Sequence, residues 1–241
     1  MTGATPRGTV GETDAAARVR EMFGRVASRY DLANHLLSLN IDRSWRRKTV
    51  QAVRPVLERP GVRILDLCCG TGDLTLALAQ ERKGAVYGSD FCHSMLTAAQ
   101  RKIRGAPLFE SDALAMPLED AGLDLITCAF GFRNLANYRS GLKEMYRVLR
   151  PGGMLAILEF SQPPNAAFGA LYGLYSKHLL PVIGGLVSGA PDAYRYLPES
   201  VEKFPDAPAV ASLMQAAGFC DVRFHRFTLG IVALHLARRP A

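Results

Sequence analysis

One stretch restricts the fold more than any other: Ile64–Leu74 reads ILDLCCGTGDL. An apolar run holding Asp66 leads into two cysteines and a glycine turn, and a helical apolar pattern starts at Asp73. Strand, tight glycine loop and helix in succession open a doubly wound α/β sheet, in which nucleotides bind at the carboxyl ends of the strands. The alternation continues downstream. Strand candidates at Arg63–Leu67, Ala85–Ser89, Pro107–Glu110, Leu123–Ala129 and Met154–Phe160 alternate with helical patterns at Asp73–Arg82, Ser94–Ile103 and Arg139–Leu149. After a helix at Pro208–Ala217, two alternating runs, Asp221–Thr228 and Ile231–Ala237, flank a tight turn at Leu229–Gly230. The pattern predicts an α/β, Rossmann-like, mainly parallel doubly wound sheet that ends in an antiparallel hairpin.

With 241 residues the chain is expected to form a single domain over 16–241, preceded by a small, polar and disordered tail, 1–15. Val19, Met22, Phe23, Val26 and Tyr30 recur at helical spacing, and a second helical stretch surrounds Asp42–Val53, so 16–60 reads as a helical cap. The segment 163–205 carries six prolines within an apolar helical pattern and reads as an inserted lid. No run of about 18 uncharged apolar residues occurs, so no membrane-spanning helix is expected. The net charge is +7, and Arg18–Arg54 holds nine Lys/Arg against Glu21, Asp31 and Asp42. The five cysteines form no CxxC pair and have no histidine at ligand spacing, so no metal is expected.

The loop resists the obvious cofactor. A dinucleotide fingerprint would put glycines at 68, 70 and 73, but those positions hold Cys68, Gly70 and Asp73. Asp73 would face a pyrophosphate at the helix N-terminus, and Asp66 and Asp90 add to the repulsion. A phosphate-free adenosine that carries positive charge suits these residues, and S-adenosylmethionine is such a molecule. Asp90 follows Gly72 by 18 residues, near the ~20-residue spacing of an acid that binds ribose. Asp112 ends the third strand, where its carboxylate and the Ala113 amide would meet an adenine edge. The predicted donor set is Asp66, Gly70, Thr71, Gly72, Asp90, Phe91, Asp112 and Ala113.

The acceptor should lie beside the donor, above the fourth strand, which ends in CAFGFRN, Cys128–Asn134. No proline-rich aromatic motif for DNA adenine and no Pro-Cys nucleophile for pyrimidines stands there. Arg133 and Asn134 beside Phe130 and Phe132 suit an oxygenated aromatic ring instead.

These motifs resemble the menaquinone/ubiquinone biosynthesis C-methyltransferase family, class I S-adenosylmethionine-dependent enzymes. The resemblance runs from about Val19 to Ala237 through VREMFGRVASRYDLANHLLSLNIDRSWR, DLCCGTGDLT, FGFRN, EMYRVLRPGGMLAILEFSQP, DAYRYLPESVEKFP and AGFCDVRFHRFTLGIVALH. It implies the seven-stranded class I sheet, donor contacts at Thr71, Asp90, Asp112 and Ala113, and carbon methylation of a prenylated quinol. Demethylmenaquinol is the first expectation and the benzoquinol step of ubiquinone synthesis the alternative. Ala129 departs from the pattern, since some members place a serine there.

A quinol ring carbon attacks a sulfonium methyl only as a phenolic proton leaves, so Arg133 is assigned to the phenolate, Asn134 to a hydroxyl, and water, His178 or Tyr30 to the proton. A tail of isoprene units calls for an apolar groove, expected at Ala166–Val187, and for a membrane nearby. Arg43, Arg46, Arg47 and Lys48 would hold the protein on anionic lipid at the cytoplasmic face, with Trp45 either inserted at the interface or part of the core. Partners are therefore a prenylated quinol and a membrane surface, without nucleic acid; a homodimer stays open. Two rival readings are an RNA methyltransferase, drawn from the basic pI of 9.3, and an inactive adenosine-binding regulator.

Overall fold

A computed structural model of the chain describes residues 3–27, 29–82, 85–188 and 191–241. Residues 1–2 of the expected tail, 28 of the cap and 189–190 of the lid lie outside the described residues. The sheet holds β1 (Ile64–Leu67), β2 (Tyr87–Asp90), β3 (Leu108–Glu110), β4 (Leu123–Ala129), β5 (Leu149–Phe160), β6 (Cys220–Phe227) and β7 (Val232–Arg238). Their order is β3-β2-β1-β4-β5-β7-β6. The first five strands are mutually parallel, and β7 runs antiparallel between β5 and β6, as the two alternating runs predict. Strand order reverses between β1 and β4, so their carboxyl ends part and leave a crevice.

The central strands bury both faces, which is why β1 and β4 read as near-continuous apolar runs. On one face Leu142 and Met145 of α6 (Tyr138–Val148) and Leu149 of β5 pack with Val210 and Met214 of α10 (Ala207–Ala216). On the other, Val53 and Trp45 of α3 (Ile41–Leu57) and Leu78 of α4 (Asp73–Glu81) meet Ile64, Leu125 and Leu158. β5 starts at Leu149, earlier than the sequence pattern, because Leu149 pairs with Leu123 ahead of a bulge.

The cap comprises α1 (Glu12–Val26), α2 (Tyr30–Leu37) and α3, and α5 (His93–Lys102) packs beneath α1. The tail differs from its reading. Glu12 already belongs to α1, Ala4 is buried, and its N–H donates to Leu135 O at 2.8 Å. Apolar alanine and backbone pairing hold this polar-looking segment on the surface of the domain. The lid segment forms α7 (Ala166–Leu174), a π-helical turn at Tyr175–Leu179, α8 (Leu180–Ser188) and α9 (Pro191–Lys203). It docks on the cap: Leu180 and Tyr194 pack on Ala33, and Tyr175 Oη donates to Leu37 O at 3.0 Å.

One reading of α3 is decided and another changes. Trp45 is in the core, with its indole N–H donating to Thr228 Oγ1 at 2.9 Å, so it does not insert into lipid. Arg46 turns inward, paired to Asp42 and Asp73, whereas Arg43, Arg47 and Lys48 stay exposed. Helical periodicity assigns a face; it does not say what covers that face.

Candidate functional site

Two pockets open at the carboxyl ends of β1 and β4. The first is shaped by the β1–α4 loop, whose Cys68, Gly70 and Gly72 all have positive φ, at 54°, 55° and 83°. Gly72 precedes α4 at a positive φ that favours glycine, and a Cβ there would stand 2.5 Å from Ile103 Cδ1, so any side chain would push Ile103 aside. Gly72 therefore shapes the loop from behind and is not among the residues that line the pocket. Across the crevice, a Cβ on Gly131 would lie 2.3 Å from Cys68 Cβ. Gly131 thus makes the room in which the loop turns with a cysteine at position 68.

Asp90 ties this loop down. Its Oδ2 accepts from Gly70 N and its Oδ1 from Cys92 N, each at 2.9 Å. Burial pushes its carboxyl up to about 6, against the pull of those two N–H groups. Asp66 also reaches the lining, but Thr75 Oγ1 donates to it at 2.6 Å and Thr127 Oγ1 at 2.8 Å. Both its oxygens accept hydrogen bonds that join β1 to α4 and β4. Burial raises Asp66 likewise to about 6, opposed by the two threonines. Asp112 accepts from Leu114 N at 2.9 Å, and Ala113 is buried beside it; both line the pocket, as do Phe91, Gly70 and Thr71. Arg20 of α1 covers Phe91, its guanidinium 5.3 Å from the ring centroid.

The rim facing the cap is a charged network. Thr71 Oγ1 donates to Asp31, and Lys102 Nζ stands 2.6 Å from Asp31 and 2.5 Å from Asp73. Burial opposes ionisation of Asp73, but Arg46 and Lys102 hold its carboxyl below the usual range. His35, Asp42 and Asp73 converge closely enough to ligate a cation, but the Arg46 guanidinium already pairs with both carboxylates. Four carboxylates, Asp66, Asp73, Asp90 and Asp112, line this pocket. They would repel a diphosphate and attract a positively charged ligand.

The second pocket is a larger apolar cavity of ≈ 540 Å³ between cap and lid, within the range usual for small-molecule sites. Trp45, Phe160, Tyr172, Leu180 and Leu197 are among its walls. Phe23, Tyr30, Arg46 and Phe130 border both pockets, so the two meet along one shared wall. The 3-10 turn Phe132–Asn134 divides its polar residues between them: Arg133 borders the cavity and Asn134 the first pocket. Tyr196, on the cavity wall, links the two by donating to Asn134 Oδ1 at 3.1 Å.

Arg133 is almost sealed from water and heavily engaged. Glu159 Oε1 pairs with its Nη1 at 3.0 Å, and that same Nη1 donates to Phe130 O at 2.6 Å. Nε donates to Ser200 Oγ at 3.3 Å, and the guanidinium lies 5.2 Å from the Phe160 centroid. Burial works against its charge, but Glu159 holds the guanidinium above its ordinary pKa. Burial also raises the Tyr30 phenol, with Arg133 nearby opposing. His178 is exposed and borders neither pocket, which removes it from the proton path. Glu159, Tyr196 and the Asp31–Lys102 pair are functional neighbours that sequence reasoning missed. One signal was visible: Glu159 is the lone charge in the apolar run MLAILEF.

Residues 11–239 match the model of the ubiE/COQ5 methyltransferase family. A demethylmenaquinone methyltransferase of Thermus thermophilus is 50% identical over 224 residues, covering 91% of this chain and 100% of that protein. One of Deinococcus radiodurans is 46% identical, covering 92% of each. The ubiquinone/menaquinone biosynthesis C-methyltransferase of Azotobacter vinelandii is 41% identical, covering 96% of this chain and 94% of that protein. Among solved structures, a SAM-dependent methyltransferase of Thermotoga maritima superposes with a TM-score of 0.64 at 18% identity, covering 92% of this chain and 99% of that chain. That likeness concerns the fold alone: the sheet is that of class I methyltransferases. The chain belongs to the ubiE/COQ5 methyltransferase family.

Proposed function

We propose that the chain methylates a ring carbon of a prenylated quinol, demethylmenaquinol first. The observation that carries this reading is the shared wall: a carboxylate-lined pocket and an apolar cavity meet at Phe23, Tyr30, Arg46 and Phe130. A polar, cationic donor fits one side and an aromatic ring with an apolar tail fits the other. The names borne by the Thermus and Deinococcus relatives support the naphthoquinol over the benzoquinol.

S-adenosylmethionine is the methyl donor and supplies an electrophilic methyl carbon. Asp90 would receive the ribose hydroxyls, Asp112 and the Ala113 amide the adenine edge, and Gly70 and Thr71 the amino-acid end. In the cavity, Phe130 and Phe160 would pack the ring, and Arg133 would face the oxygen that gains negative charge. Glu159 keeps that guanidinium in place. Tyr30, its phenol raised above its ordinary value by burial, would hydrogen-bond that oxygen and pass the quinol's proton on to water as the ring carbon takes the methyl from sulfur. Holding carbon and methyl about 3–3.5 Å apart is the larger part of the task. Labelled donor incubated with short-tailed demethylmenaquinol should give the C-methylated naphthoquinol. Label transferred to RNA and not to the quinol would overturn the reading.

The tail would leave through the cavity mouth, where Leu36, Leu39, Ile41 and Leu179 line the cavity and are also exposed. Each buried methylene contributes about 0.8 kcal/mol, so one or two isoprene units suffice to seat the ring. With Arg43, Arg47 and Lys48 exposed on α3, this mouth would rest on an anionic membrane at the cytoplasmic face.

A further inference from the structure

We infer that Arg46 binds the carboxylate of the donor's methionine moiety, from a helix outside the doubly wound core. S-adenosylmethionine carries a sulfonium, an ammonium and one carboxylate. The four aspartates of its pocket suit the two cationic groups and would repel the anionic one. Among the described residues that line this pocket, Arg46 is the only lysine or arginine.

Its side chain is built for such a contact. Arg46 is only 13% exposed, so its charge is weakly screened. Asp42 anchors Nη1, and Asp42 is itself fixed by Ser38 Oγ at 2.7 Å and His35 Nδ1 at 2.8 Å. The guanidinium lies over Phe130, 5.5 Å from the ring centroid. Nη2 stands 3.5 Å from Asp73, in a loose ion pair, and neither Nη2 nor Nε donates a hydrogen bond to any described residue. Two donors of a held, planar fork are thus left for a carboxylate, the geometry in which arginine outperforms lysine. Asp73 would lose little by yielding its loose contact, because Lys102 Nζ holds it at 2.5 Å.

The position has a consequence. Arg46 borders the acceptor cavity as well, so a donor that lacks this carboxylate would leave an under-used cation beside the quinol ring.

The inference rests on the donor being S-adenosylmethionine and not on the identity of the acceptor, so the test omits any acceptor. Calorimetry would compare S-adenosylmethionine with decarboxylated S-adenosylmethionine, which lacks only that group. The wild-type chain should prefer the former by about 10- to 100-fold, the scale of a charge-assisted hydrogen bond. Arg46→Met should bring the two affinities close together while leaving the decarboxylated ligand bound within a few-fold of wild type. Equal weakening of both ligands, or an intact preference in the variant, would overturn the inference. If Arg46→Met does not fold, Arg46→Gln removes the charge and keeps a polar group, and it should show the same collapse of preference. Equal affinity of the wild-type chain for the two ligands would overturn it with no variant at all.

Discussion

Glu159 Oε1 lies 3.0 Å from Arg133 Nη1, and the two side chains are 1% and 4% exposed. Glu159 Oε2 also accepts from Arg133 N at 3.1 Å, so the carboxylate holds both the backbone and the guanidinium of the turn after β4. Such a pair costs desolvation, and losing one partner costs far more than the pair contributes, because a buried charge is then left alone.

Removing one partner should therefore be severe. Glu159→Ala leaves the Arg133 guanidinium buried and unpaired, at a cost of about 3–5 kcal/mol. Urea unfolding would measure it, and a cost below about 1 kcal/mol would mean that water replaces the carboxylate. Turnover should fall further than donor affinity, because Arg133 borders the acceptor cavity.

The contact between Gly131 and Cys68 makes a paired prediction. Gly131→Ala puts a methyl 2.3 Å from Cys68 Cβ and should cost about 1–3 kcal/mol by overpacking, with weaker donor binding. Cys68→Gly in the same chain removes the clashing atom and should restore most of both. A double variant as impaired as the single one would show that the strain lies elsewhere.

Much of this was legible in the sequence. Short apolar runs between helical patterns marked the parallel strands, clearest in β1 and β4, which are buried on both faces, and alternating runs marked the antiparallel pair β6 and β7. The case against a phosphate ligand at the β1–α4 loop was legible because Asp73 stands where a phosphate would bind. Trp45 and Arg46 were not, because a helical pattern cannot say that α3 packs against β5 or that Asp73 waits across the gap. Nor does the sequence show that Gly72 lies behind the pocket lining, at a positive φ and against Ile103. The hydrogen bonds that Thr75 and Thr127 give Asp66 are not legible either, because no pattern shows which side chains meet across β1, α4 and β4.

Asp66 should mark the pH dependence of stability. Its carboxyl is raised to about 6 in the fold from an unfolded value near 3.8, so the folded chain binds the proton more tightly. Its contribution therefore favours folding below about pH 4 and is lost as pH rises through 6, the reverse of a salt-bridged aspartate. Asp66→Asn should flatten the thermal stability of the chain between pH 4 and 6, by an amount on the order of 2 kcal/mol across the window. An Asp66→Asn profile parallel to the wild type would contradict the assignment. Asp90, raised to a similar degree, should make donor binding weaken below about pH 6, since its protonated form attracts cations and accepts hydrogen bonds less well.

Membrane contact should follow the exposed cations. Vesicles containing anionic lipid should bind the chain, less so as salt rises, with each of Arg43, Arg47 and Lys48 contributing about 1 kcal/mol near the surface. Replacing these three should weaken co-sedimentation without changing turnover of a short-tailed, water-soluble quinol. Salt-insensitive binding would mean that the apolar mouth alone makes the contact.

In the proposed reaction a ring carbon made nucleophilic by loss of a phenolic proton sits across the shared wall from the donor. The most direct test is a single-turnover methyl transfer from labelled S-adenosylmethionine to a short-tailed demethylmenaquinone, with and without prior reduction of the ring. Label on the ring carbon after reduction, and none on the oxidised quinone, is the expected result. Equal labelling of both forms, or none on the reduced ring while donor binding is intact, would contradict it.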